Sequence, residues 1–88
     1  MSEILLRPAA RSDAAIIRRM ISSERLNPFS LDWRRFTLAV DENGYVAACV
    51  QVKPHEDGIW EMASLVVHPE YRGQGLARRM IEAVLARE

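Results

Sequence analysis

The chain has almost no thiol chemistry, no excess of charge and no long apolar run, and each lack removes a class of function. Cys49 is the only cysteine in 88 residues. No internal disulfide can form, and a reducing, cytoplasmic compartment is expected. Inside its apolar run Cys49 reads as a buried structural thiol. The histidines, Cys49 and the acidic residues form no set with metal-ligand spacing, so no metal is expected. Twelve basic residues balance twelve acidic ones, which argues against a nucleic-acid binder, since those carry a basic excess. No run reaches the ~20 apolar residues of a membrane span, so no membrane partner is expected. The opening MSEILLRP has neither the basic start nor the apolar core of a signal peptide. Lysine is nearly missing as well: Lys53 stands alone, and every other cation is arginine. Arginine's planar fork suits phosphates, although a bias toward arginine codons explains the same composition.

At 88 residues the length fits one domain. Such a chain buries only about 60–65% of its unfolded surface, so modest stability is expected. A hydrophobic share of 49% is that of an ordered globular domain.

The segment EILLRPA (3–9) predicts a strand ended by Pro8. RSDAAIIRRMISSER (11–25) predicts a helix. Ser12 would be its N-cap, with Asp13 in the first turn. Ile16, Ile17, Met20 and Ile21 share one face, opposite Arg18 and Arg19. LNPFSLDW (26–33) reads as a loop with a short helical turn near its end. RFTLAVDENGYVAACVQVKP (35–54) is a hairpin, because two β-rich runs flank a turn containing Asn43-Gly44. After a turn at HEDG (55–58), IWEMASLVVHP (59–69) predicts a long apolar strand stopped by Pro69. GLARRMIEAVLARE (75–88) predicts a helix facing inward through Leu76, Met80, Ile81, Val84 and Leu85. Phe29, Trp33, Phe36 and Trp60 are expected in the core. The order is β-α-(short helix/loop)-β-β-β-α: an α/β (α+β) chain with a mixed, mostly antiparallel sheet flanked by helices.

Between the last strand and helix lies HPEYRGQGLA (68–77). The first N–H groups of a helix lack internal acceptors, and with the helix dipole they attract anions. A phosphate needs the backbone close, so side chains must be absent there. Gly73 and Gly75 permit that approach, Ala77 keeps the first turn lean, and Arg72 adds charge. No Gly-Lys-Ser/Thr follows and three spaced glycines are absent, so neither a Walker A loop nor a dinucleotide fingerprint is present. A plain strand-to-helix turn remains the alternative reading of the loop by itself.

Arg72-Gly73-Gln74-Gly75-Leu76-Ala77 matches the [Q/R]-x-x-G-x-[G/A] pattern of the GCN5-related N-acetyltransferases, the GNAT superfamily. SLVVHPEYRGQGLARRMIEAVL (64–85) resembles that family's motif A throughout, and the preceding order resembles its N-terminal half. LDWRRF and QVKPHEDG are similar to segments of a bacterial branch of GNAT proteins. The resemblance implies acetyl-CoA as cosubstrate and acetyl transfer to a primary amine. It implies that backbone amides of Arg72, Gly73, Gln74, Gly75, Leu76 and Ala77 hold the pyrophosphate. It also implies that the strand at Leu65, Val66 and Val67 pairs with the pantetheine arm. A strand-end amide, of Leu65 or Val66, would polarise the thioester carbonyl as an oxyanion donor. Glu61 matches the position of a general base in some members, its apolar neighbours would desolvate it, and an ordinary strand glutamate is the alternative. Arg78 and Arg79 are candidates for the charged end of coenzyme A, against a solvated helix face. Arg34 and Arg35 share that ambiguity. His68 and His55 read as loop and turn residues. Phe29 and Trp33 match positions lining the family's acceptor pocket.

Family domains run on past the motif A helix. The 88 residues are therefore expected to be a single GNAT domain truncated there, with an unpaired edge on the motif A strand and no general acid. Neither Tyr45 nor Tyr71 matches the family's acid. Three origins remain: a piece of a longer enzyme, a chain completed by a second chain or by dimerisation through the open edge, or a non-catalytic half-domain that binds a partner. The acceptor, whether small amine, antibiotic, peptide or protein N-terminus, has no signature here.

Overall fold

Alternation along one strand sorts the core into two layers. In the computed structural model, which describes residues 3–24, 26, 31–54 and 57–87, strand β2 (Phe36–Asp41) is buried along its whole length. Its odd and even residues face different helices, because successive strand side chains point to opposite faces. Phe36, Leu38 and Val40 join Ile17, Met20 and Ile21 of helix α1 (Ala14–Ser23). Ala39 faces the other way, in a layer with Leu76, Met80 and Val84 of helix α2 (Leu76–Arg87). The helices therefore cover opposite faces of one sheet.

That sheet runs β1 (Ile4–Pro8), β2, β3 (Val46–Pro54), β4 (Trp60–Val67), in that order. Every pairing is antiparallel, so the expected mixed sheet is antiparallel throughout. β4 lies at an edge. The β2–β3 hairpin closes as the sequence implies, but its fixing residue is Asp41. The Asp41 carboxylate accepts the backbone N–H groups of Asn43 and Tyr45, both at 2.9 Å. Cys49 is fully buried, and burial pushes its thiol up to about 12, which makes it inert as a nucleophile.

Three expectations need correction. Ser12 does not cap α1. It lies inside a 3₁₀ turn, Arg11–Asp13, that leads into the helix. Asp13 reaches back instead, accepting the Ala10 N–H at 2.7 Å and both nitrogens of Arg7 at 2.9 and 3.2 Å. Leu85 is 64% exposed. Leu76, Met80 and Val84 form the buried stripe, and Leu85 lies about 100° around the helix from Val84. Of the four aromatics assigned to the core, Phe36 is buried, Trp33 is half-buried and Trp60 is 50% exposed at the start of the edge strand. Phe29, like His55, lies outside the described residues.

The Arg7 hydrogen bonds hold the Asp13 carboxyl below its usual 3.8. A carboxyl whose folded value is depressed stabilises the fold above the unfolded value, and that stability is lost as pH falls through the folded value. Asp13→Ala is expected to cost about 1–2 kcal/mol, mostly by leaving the Ala10 N–H without its acceptor, because the partly solvated Arg7 pair adds little. The same substitution should flatten the loss of stability below about pH 4. Urea unfolding at pH 7 and pH 3 measures both, and an unchanged acid limb in the variant would refute the assignment.

Candidate functional site

The open edge of β4 is shaped by one extra residue. Cys49 pairs with Val66 and Gln51 with Ala63, so Ser64 and Leu65 together oppose Val50. This is a β-bulge, and Ser64 takes the left-handed φ of +56°, uncommon for a residue with a side chain. Beyond the bulge, the His68 N–H donates to the Ala47 carbonyl at 2.8 Å. By antiparallel alternation Val66 then turns its backbone groups toward β3, while Leu65 and Val67 turn theirs outward. Of the two oxyanion candidates, Leu65 thus presents its N–H to the open side and Val66 does not. A groove of about 500 Å³ runs here, lined by Glu24, Leu26, Leu65, Val66, Val67, Arg72 and Ala77.

At the end of β4 the chain makes a 3₁₀ turn, Pro69–Tyr71, capped by His68 Nδ1, which accepts the Glu70 N–H at 3.2 Å. Gly73 and Gly75 follow with φ of +81° and +75°, values that glycine adopts without strain. The Gly75 carbonyl accepts the Arg79 N–H at 3.1 Å and opens α2. The N–H groups of the first turn, with no acceptor inside the helix, face outward. A concavity of about 180 Å³ lies over them, bounded by Val67, Tyr71, Arg72, Gly73, Gly75 and Ala77. Gln74 is exposed, and the Leu76 side chain is buried in the core. The loop therefore offers backbone rather than side chains, which is what a phosphate cradle requires.

Two long-range contacts hold this loop. The Tyr71 hydroxyl donates to the Asp41 carboxylate at 2.5 Å, tying the loop to the hairpin. That hydrogen bond raises the phenol above its usual range and holds the carboxyl below its own. Arg72 donates from Nε to the Val67 carbonyl at 3.1 Å, and its Nη2 pairs with Glu24 at the C-cap of α1.

The other candidates have different surroundings. Glu61 lies on β4 across from Lys53 and is exposed, so the expected desolvation by apolar neighbours does not occur. It also precedes Leu65 by four residues that, with the bulge between them, span only three positions of β3, about 10 Å. Arg78 pairs with Glu82 at 3.0 Å, and Arg79 donates to the Ile4 carbonyl at 3.2 Å. Both arginines thus have partners within the fold. Arg34 and Arg35 flank Asp32, at 3.0 and 3.6 Å. With Trp60 and Pro54 they line a cavity of about 290 Å³ at the far end of β4 from the loop.

Sequence reasoning missed Glu24, Asp41 and the Ser64 bulge. Glu24 and Asp41 act on residues 48 and 30 positions away, and no local pattern announces such partners. The bulge leaves only a small serine in an apolar run.

The fold recurs in solved acetyltransferases. N-acetylglutamate synthase from Neisseria gonorrhoeae, solved with coenzyme A and L-arginine, matches 99% of this chain at a TM-score of 0.85 and 18% identity. A GNAT-family acetyltransferase from Staphylococcus aureus matches 96% of it at 0.82 and 13%. Diaminobutyrate acetyltransferase from Paenibacillus lautus, solved with L-2,4-diaminobutyric acid and coenzyme A, matches 97% at 0.80 and 16%. The matched part spans 22%, 65% and 58% of those three proteins. No curated protein matches in sequence. The sequence model of the acetyltransferase (GNAT) family matches residues 5–87, and the chain belongs to that family.

Proposed function

We propose that this chain is the acetyl-CoA-binding, N-terminal half of an N-acetyltransferase that moves an acetyl group from coenzyme A to a primary amine. One observation carries the reading: a glycine-opened helix start at the end of an edge strand whose outward backbone faces a groove. Backbone amides of residues 73–77 would hold the pyrophosphate, with α2's dipole adding to the attraction, whereas the Arg72 N–H, expected among them, already donates to the Pro69 carbonyl. Leu65 and Val67 would pair with the pantetheine arm as a neighbouring strand does. The Leu65 N–H would stabilise the negative charge developing on the thioester oxygen. A base must reach the amine's proton directly or through a water. With about 10 Å of strand between Glu61 and Leu65, Glu61 would act through a water. The half-domain reading is supported by the share of the solved relatives that the chain spans. Among the described residues no helix is long and apolar enough to cross a membrane, and a cytoplasmic site of action goes with this proposal.

The test is a calorimetric titration of the chain with acetyl-CoA, with desulfo-coenzyme A as control. Saturable one-to-one binding is expected. A folded chain that binds neither compound would refute cosubstrate capture by this half alone. The position of β4 at the edge of the sheet, among the described residues, favours one second reading, a module that dimerises or binds a partner chain edge to edge. Sedimentation of the same sample separates the two: concentration-dependent dimerisation without acetyl-CoA binding supports the second.

A further inference from the structure

A carboxylate at the margin of a polyphosphate site is unexpected, because like charges oppose binding. Glu24 lines the groove along β4, which shares Val67, Arg72 and Ala77 with the concavity over the glycine loop. Its partner is Arg72, whose guanidinium also caps the Val67 carbonyl at 3.1 Å. Val67 is one of the two residues whose backbone turns to the open edge, so a single side chain covers a pairing position of β4 and joins α1 to the loop. The Arg72 and Glu24 side chains are 53% and 37% exposed. An exchange of partners there meets little desolvation cost, and arginine binds phosphate with the same planar fork it gives a carboxylate.

We propose that Glu24 is a latch on Arg72, holding the guanidinium across the groove until coenzyme phosphates displace it. Glu24 is thus a positioning residue that weakens coenzyme binding and hastens coenzyme release. The inference rests on the coenzyme reading above. Retaining a second partner for Arg72 gives the departing product a competitor at the site, and such competition appears mainly in the dissociation rate.

Calorimetric titration of acetyl-CoA into the wild-type chain, Glu24→Gln, Arg72→Met and the double variant tests this. Glu24→Gln is expected to tighten binding about two- to fivefold, the range of an exposed ion pair. The gain should shrink when Arg72→Met is already present, and it should shrink in high salt. The unfolding midpoint of Glu24→Gln should fall slightly or stay unchanged while binding tightens, a divergence that a merely structural role does not produce. Weaker binding in Glu24→Gln would overturn the latch and make Glu24 a support for Arg72. An equal gain in both backgrounds would overturn it in favour of plain repulsion. Failure of the wild-type chain and all folded variants to bind would overturn the coenzyme reading, and the latch with it.

Discussion

Gly75→Glu is expected to weaken acetyl-CoA binding by about a hundredfold or more. Gly75 sits at the mouth of α2, on the concavity over the first turn. A Cβ there meets nothing within 4 Å, so the protein itself accommodates a side chain sterically. Two costs remain, and they act on different quantities. The φ of +75° charges any L-residue about 1–2 kcal/mol, which lowers the unfolding midpoint. The new carboxylate then stands about 4 Å from a pyrophosphate, where each pair of unit charges repels by about 1–4 kcal/mol near a protein surface. That cost falls on binding. Gly75→Gln has the same size and the same backbone strain without the charge. Titration of both variants therefore isolates the electrostatic part, and Glu is expected to bind at least about tenfold more weakly than Gln. Equal affinities for the two would remove the phosphate from this loop.

The largest stability effect is expected at Leu38. It is fully buried in the centre of β2, in the layer formed with Ile17, Met20 and Ile21 of α1. Leu38→Ala removes three carbons from a site enclosed on every side, and such substitutions cost about 2–5 kcal/mol. A domain of this size has roughly 5–10 kcal/mol of stability in total, so the variant should lose between a quarter and half of it or more. The unfolding midpoint should fall by about 10–40 °C, read by circular dichroism, with an unchanged urea m-value. Leu5→Ala is the matched control. Leu5 is 69% exposed on β1, and its change should stay within about 0.5 kcal/mol. Similar losses at both positions would contradict the burial of β2 between two helices.

What the sequence determined by itself is what short-range physics controls. Ile17, Met20 and Ile21 recur at helical spacing, and they form the buried stripe of α1. Asn43-Gly44 lies between two β-rich runs that form a hairpin, and Gly44 takes the φ of +87° that glycine adopts without strain. Gly73 and Gly75 between an apolar strand and an amphipathic helix implied a backbone-lined helix start, and both take positive φ there. These features depend on neighbours within about four residues, which is the range over which a sequence is legible.

Only the tertiary structure decided the rest, because the deciding partner lies far along the chain. Leu5 and Leu38 both sit in apolar strand runs, yet one is solvated on an edge strand and the other lies under α1. Ser12 does not cap α1 because a 3₁₀ turn precedes the helix, and the Asp13 carboxylate is turned back to Ala10 and to Arg7 on β1. Leu65 and Val66 are chemically alike, and only the register against β3 turns one outward and the other into the sheet. Glu61 reads as a desolvated carboxylate from its neighbours in sequence, but the exposed start of an edge strand leaves it in water. Tyr71 and Arg72 reach Asp41 and Glu24 across 30 and 48 residues. Such contacts exist only once the sheet has brought the hairpin, the end of α1 and the loop to one place.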